Sequence, residues 1–300
     1  MTFTRFGIEL GPVLLTYFGL IVTGAIVAGA VVAYRWVRQQ GDEADALLDV
    51  LTGGLVGGVL LGRLFYIWNP PPSVAAIYDR RWFLTHFFDL QIGPLAIWSG
   101  GLGRAGILLG AAAAGVIVLR RRGLDIRRWA DSLVFGLLVM LAILPWANVV
   151  NQQMMGPPTT LPWGVPLLRR VPPYDDLVAY PASTRFHPTP AYLSLWTLLA
   201  LGVVWLAHIR IRSRMRVGDL SLLAAVLYLP GLFAADFLRS DLNQAFLGLS
   251  GLQVLAALWF AAALVAGAGR LCPSRVVPDE LMPAEEDGAR TEAESPPGGG

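Results

Sequence analysis

Three hundred residues, 55% hydrophobic, 15% charged and with a mean hydropathy of +0.57, exclude an ordinary water-soluble domain. The net charge of +2 says little, because all 23 basic side chains are arginine and their distribution carries the information. The single cysteine, Cys272, excludes an intramolecular disulfide.

Seven apolar stretches are predicted as membrane-crossing helices, over residues 12–34, 46–68, 94–119, 129–149, 189–209, 220–238 and 249–269. Each approaches the roughly 20 apolar residues that the hydrocarbon core requires. Ala28-Gly29-Ala30 in the first resembles a leader-cleavage site, but the positive charges follow the apolar run, so a retained helix is expected. The expected fold is all-α: a polytopic membrane protein with a seven-helix domain over 1–270. The acidic, proline- and glycine-rich stretch 271–300 is expected to be a disordered cytoplasmic tail.

Arg35, Arg38, Arg120, Arg121, Arg122, Arg127, Arg128, Arg210, Arg212, Arg214, Arg216, Arg270 and Arg275 fall densely in alternate loops. Arg5, Arg80, Arg81, Arg169, Arg170, Arg185 and Arg239 are spread thinly over the others. The dense set is expected to be cytoplasmic, with the N-terminus outside and the C-terminus inside. Two long loops, about 69–93 and 150–188, then lie outside. The first carries Tyr78, Trp82, Phe83, Phe87 and Phe88 beside Arg80, Arg81 and His86, a composition suited to the membrane interface.

Charges within apolar spans are costly and mark partners, cavities or pathways. Arg63 lies in the second span and Arg104 about ten residues into the third. Asp236 and Arg239 bracket the outer end of the sixth. Snorkelling to the interface is the alternative for Arg63 and Arg239. Glycines at 53, 54, 57, 58 and 62, and at 100, 101, 103, 106 and 110, fit close helix packing, or else room for a ligand beside a buried arginine. Asn148, Asn151, Gln152 and Gln153 end the fourth span, and His187-Pro188 with Tyr192 opens the fifth. The amides suit either helix termination or hydrogen bonding to lipid or peptide.

Taken in order, these motifs resemble the bacterial prolipoprotein diacylglyceryl transferases. Gly62-Arg63-Leu64-Phe65-Tyr66 resembles the family's GGRLGY block. Trp98-Ser99-Gly100-Gly101-Leu102 with Gly106 and Gly110 is similar to its WDGGMSFHGGLIG block. Residues 147–151 with Gly156 and Pro158-Thr159 resemble GRxGNFINxExxGxPT, and His187-Pro188-Thr189 with Tyr192 resembles HPSQLYE. Gly231-Leu232-Phe233 followed by Asp236, Arg239 and Asp241 is similar to GLFR…EFFREPD.

The resemblance implies an outward-facing inner-membrane enzyme without metal or cofactor. Its substrates would be phosphatidylglycerol and the lipobox cysteine of a prolipoprotein, with membrane lipids around it and no nucleic acid. It implies catalytic roles for His187, Arg239 and Arg104, and substrate binding by Arg63, Tyr66, Gly100, Gly101, Asn148, Asn151 and Tyr192. Several family positions differ. Pro145 replaces an arginine, Ala105 a histidine, Gln153 an acidic residue and Leu193 a glutamate, and the RWYG element reads Thr16-Tyr17-Phe18-Gly19. A divergent transferase and a non-catalytic paralogue that binds anionic lipid or lipoprotein precursor both follow from this pattern. An unrelated channel or transporter has neither a charge ladder nor an inverted repeat to support it.

Overall fold

The structure, a computed structural model, describes residues 2–4, 7–10, 13–75, 77–97, 100–168, 173–241 and 244–271. The predicted tail, Cys272 and the Trp98-Ser99 pair lie outside the described residues. The chain is a mostly helical, polytopic membrane protein. Among the described residues, six stretches are long and apolar enough to cross a membrane: Tyr17–Gln39, Ala44–Trp68, Ile126–Val150, Thr189–Arg214, Asp219–Phe237 and Gly251–Gly269.

The first predicted span begins too early. Residues 2–16 hold three antiparallel strands, β1 (Thr2–Phe3), β2 (Gly7–Leu10) and β3 (Val13–Thr16), with Gly7 opposite Thr16. Helix α1 (Tyr17–Gln39) starts where the Thr16 hydroxyl accepts the Gly19 N–H at 3.1 Å, an N-cap that ends the strand. Helix α2 (Ala44–Trp68) follows after a short turn and matches its predicted span closely.

The third predicted span is half loop. After α3 (Pro72–Ala75) and α4 (Arg80–Thr85), the described residues of 94–103 are not in an α-helix, and α5 covers only Arg104–Arg121. Those 18 residues carry Arg104, Arg120 and Arg121, so α5 is less apolar than those six stretches, yet it runs antiparallel along α2 from one end of the bundle to the other as a seventh crossing. It packs along α2 through glycines. A Cβ on Gly57 would sit 2.5 Å from the Gly110 carbonyl oxygen, so the two backbones touch. Packing is the use of the α2 and α5 glycines, while Gly100 and Gly101 adopt positive φ (86° and 75°) in the loop.

Helix α6 (Ile126–Ile143) passes through Leu144 into α7 (Pro145–Val150), where Pro145 at the first position needs no N–H partner. A second glycine contact, Gly29 against Gly136, joins α1 to α6. The long loop that follows forms a small sheet in the order β4 (Pro158–Thr159), β6 (Arg185–Phe186), β5 (Val165–Pro166) over Met155, Leu167, Tyr174 and Phe186. Burial pushes the Tyr174 phenol up to about 12, and its hydroxyl donates to the Met155 carbonyl.

Helices α8 (Thr189–Ile211), α9 (Asp219–Phe237) and α10 (Gly251–Leu271) complete the bundle, with a hairpin of β7 (Gln244–Phe246) and β8 (Leu249–Ser250) before α10. Ion pairs tie the arginine-rich turns together at one end. Arg122 meets Asp49, Arg128 meets Asp42 at 2.7 Å, and Arg212 meets Asp131 at 3.3 Å. The glycine loop, α7, the small sheet and the β7–β8 hairpin lie at the other end.

Candidate functional site

Two buried charge centres form at that second end. The first is Arg63, 5% exposed, whose guanidinium donates only to backbone carbonyls. Nε reaches Pro94 O at 3.1 Å, Nη1 reaches Gly100 O at 2.5 Å and Gly101 O at 3.0 Å, and Nη2 reaches Ile92 O at 3.1 Å and Gly93 O at 2.6 Å. All five donors of the planar fork are thereby used. Arg63 neither snorkels nor presents its charge outward; it gathers the 92–101 loop beneath Tyr66, whose ring centre lies 5.4 Å from Cζ. A Cβ on Gly101 would strike that ring at 2.6 Å, which explains the glycine. The Asp89 carboxylate accepts the Gln91 N–H at 2.7 Å and the Ile92 N–H at 3.1 Å; these bonds hold it below its ordinary range and pin the start of the same loop.

The second centre is Asp236, 2% exposed near the end of α9. One carboxylate oxygen accepts Arg104 Nη2 and Arg239 Nη1, each at 2.8 Å; the other accepts the Ser250 hydroxyl at 2.5 Å. Ser250 itself caps α10. Its Oγ accepts the Gln253 N–H at 3.1 Å while Gln253 Oε1 accepts the Ser250 N–H at 2.8 Å, a reciprocal capping box. Arg239 also grips Asp241, with Nε at 3.0 Å and Nη2 at 2.9 Å. Burial pushes the Asp241 carboxyl above its ordinary value, against the pull of Arg104 and a hydrogen bond from the Met154 backbone. That bond ties the loop after α7 to the cluster.

The two arginines differ in what they have left. Arg239, 10% exposed in its side chain, has every nitrogen engaged. Arg104 is 30% exposed and gives only Nη2 among the described residues. Because the preceding residues form a loop, Arg104 begins α5 and is not ten residues deep as its sequence position implies.

A third group lies at the start of α8. His187 Nδ1 is 2.9 Å from the Tyr192 hydroxyl, which accepts Trp163 Nε1–H at 2.9 Å. The indole can only donate, so the phenol oxygen accepts from it, and its second lone pair takes the His187 Nδ1–H in the tautomer that leaves Nε2 as an acceptor. Asn148 sits on α7 and Asn151 caps it; both are partly buried, and neither side chain forms a hydrogen bond among the described residues. The buried Pro145 and Ala105 bring neither charge nor proton acceptor to this end.

The ten sequence-predicted residues thus fall into four groups. Arg104 and Arg239 meet directly, Arg63 packs with Tyr66, Gly100 and Gly101, His187 pairs with Tyr192, and the two asparagines stand on α7 and its cap. Sequence reasoning left Asp236, Asp241, Ser250 and Trp163 off the site. For Asp236 a signal existed: a carboxylate at the end of an apolar span needs a cationic partner.

A family model described as prolipoprotein diacylglyceryl transferase matches residues 5–268. A phosphatidylglycerol–prolipoprotein diacylglyceryl transferase of Chloroflexus aggregans is 34% identical over 251 residues, covering 80% of this chain and 77% of that one. A protein of the same name from Paenarthrobacter aurescens is 30% identical, covering 86% and 79%. The phosphatidylglycerol–prolipoprotein diacylglyceryl transferase 2 of Streptomyces coelicolor is 32% identical, covering 88% and 79%. With the match running over nearly the whole chain, the protein belongs to the prolipoprotein diacylglyceryl transferase family.

Proposed function

We propose that this protein transfers the diacylglyceryl group of phosphatidylglycerol to the lipobox cysteine of a prolipoprotein at the outer face of a bacterial inner membrane. The N-terminus then lies outside and the tail in the cytoplasm, as the arginine distribution favours. The observation that carries the reading is Arg104: partly exposed, anchored through Nη2 to buried Asp236, and with its other nitrogens unbonded among the described residues.

In the reaction, the cysteine sulfur forms a C–S bond to the glyceryl carbon while the C–O bond to phosphate breaks and glycerol phosphate departs. Negative charge grows on the departing phosphate, where a guanidinium already held in place stabilises it without reorganising. Arg104 supplies that contact through the nitrogens it does not spend on Asp236, while Arg239 pairs with both Asp236 and Asp241. The thiol must first lose its proton. His187, held through Nδ1 by Tyr192, presents its other nitrogen as the acceptor, with bulk water as the alternative. Asn148 and Asn151 offer amides to headgroup hydroxyls or the peptide backbone. Arg63 and Gly101 act at one remove, by shaping the loop that leads into Arg104.

One observation favours a second reading. Pro145 and Ala105 occupy the positions of a family arginine and histidine, so a protein that binds anionic lipid or precursor without turnover fits the same geometry. Complementation separates the two. In a strain depleted of its own transferase, expression of this chain restores lipoprotein maturation and growth if it is a transferase. Depletion lethality despite full membrane expression supports the binding protein.

A further inference from the structure

The end of the bundle opposite Asp236 carries a groove of about 510 Å³ between α1, α6 and α8, lined by Trp36, Gln39, Gln40, Arg128, His208 and Arg212. None of these residues belongs to the site described above. Two polar atoms here, Trp36 Nε1 and His208 Nδ1, are shielded from solvent and have no hydrogen-bond partner among the described residues. Buried polar atoms in this condition are few in folded proteins and call for a reason. The two rings meet edge-on with centres 4.9 Å apart. The indole N–H can only donate, so whatever satisfies it brings an acceptor.

The surrounding charges select the same kind of partner. Asp131 already accepts the Gly218 and Ser221 N–H groups at 2.8 Å each, so its 3.3 Å bond to Arg212 leaves that guanidinium only loosely engaged. Arg128 pairs with Asp42 but is half exposed, and Arg210 and Arg214 stand exposed on the same turn. An acceptor-rich anion suits this set, since arginine forks match phosphate oxygens. The groove also lies beside an exposed apolar strip of α8: Trp205, Leu206 and Ile209 are each about half exposed, and the Trp205 ring lies 5.9 Å from Trp36. That strip fits acyl chains better than water.

We propose that this groove binds the phosphate of an anionic phospholipid in the leaflet opposite the candidate active site. The bound phosphate accepts from Trp36 and the two arginines and ties α1, α6 and α8 together. Occupancy does not depend on catalysis.

The test uses the full-length protein in phosphatidylcholine nanodiscs holding a small fraction of phosphatidic acid, with retained lipids counted by native mass spectrometry. Trp36→Phe removes the indole N–H while keeping a ring against Phe135, and Arg212→Gln removes the charge. Each variant is expected to retain one anionic lipid fewer, with about tenfold weaker binding of it, while Arg104→Ala keeps that lipid. Excess inorganic phosphate or glycerol phosphate is expected not to displace it; displacement by either would make the ligand a soluble phosphate and overturn the lipid assignment. Unchanged retention in Trp36→Phe would overturn the site itself, and this variant decides the matter should Arg212→Gln fail to fold.

Discussion

Asp236 is the residue through which α5, α9 and α10 share charge: it receives Arg104, Arg239 and the capping hydroxyl of Ser250 on one buried carboxylate. Removing one partner of a buried pair strands the others, at a cost of about 3–5 kcal/mol. Asp236→Ala is therefore expected to lower the thermal unfolding midpoint in detergent far more than Asp42→Ala, whose partner Arg128 is half exposed. At the proposed phosphate contact, Arg104→Ala is expected to weaken phosphatidylglycerol binding more than Arg80→Ala, because Arg80 lies over Trp68 and donates to its carbonyl; equilibrium lipid titration of the two variants checks this. Tyr174 gives a pH dependence. Its folded value is raised to about 12 from an ordinary 10.0, so its stabilising contribution is complete below pH 10 and is lost as pH rises from there through 12. In an ultraviolet titration, Tyr174→Phe is expected to lose one late-ionising tyrosine relative to the parent protein.

At the scale of elements, the helices were largely legible. Apolar runs placed α2, α8, α9 and α10 within a few residues of their observed ends. Residues 94–103 were not legible, because hydropathy reads Pro94–Ile97 and the glycines around Leu102 as one apolar span. The carbonyls of that stretch turn instead onto Arg63, a contact across some thirty residues that no local pattern carries. Arg104 was misplaced for the same reason. The role of the glycines was legible as spacing but not as partner choice, since only the folded pair shows Gly57 against Gly110. Gly57→Val is expected to force α2 from α5 and cost at least the ~1–3 kcal/mol of an overpacked core. Gly24→Ala, whose added Cβ would meet nothing within 4 Å, is expected to leave the melting temperature unchanged.

For the whole molecule, the arginine-rich turns gather at one end and the candidate site at the other, joined by helices that run the full depth of the bundle. The sequence pattern of alternating loops anticipated this polarity. It did not anticipate that Arg63 would be wholly consumed by backbone, leaving Arg104 as the exposed cation of the site. Single cysteines at Ser73, Ser183 and Ser274, in a Cys272→Ser background, are expected to react with an impermeant thiol reagent from outside at 73 and 183 and not at 274. The reverse pattern would invert the orientation proposed for both ends.

The central claim, that an Asp236-anchored arginine pair supports diacylglyceryl transfer, is tested most directly by incubating the purified protein with phosphatidylglycerol and a lipobox peptide and measuring the thioether product. The account predicts product formed more slowly than by a relative that keeps the family's arginine and histidine. It predicts a further loss in Arg104→Ala and Arg239→Ala, and a loss in His187→Ala that high pH partly restores as more of the thiol ionises unaided. Tight binding of phosphatidylglycerol with no thioether, under conditions where the motif-complete relative turns over, would contradict it.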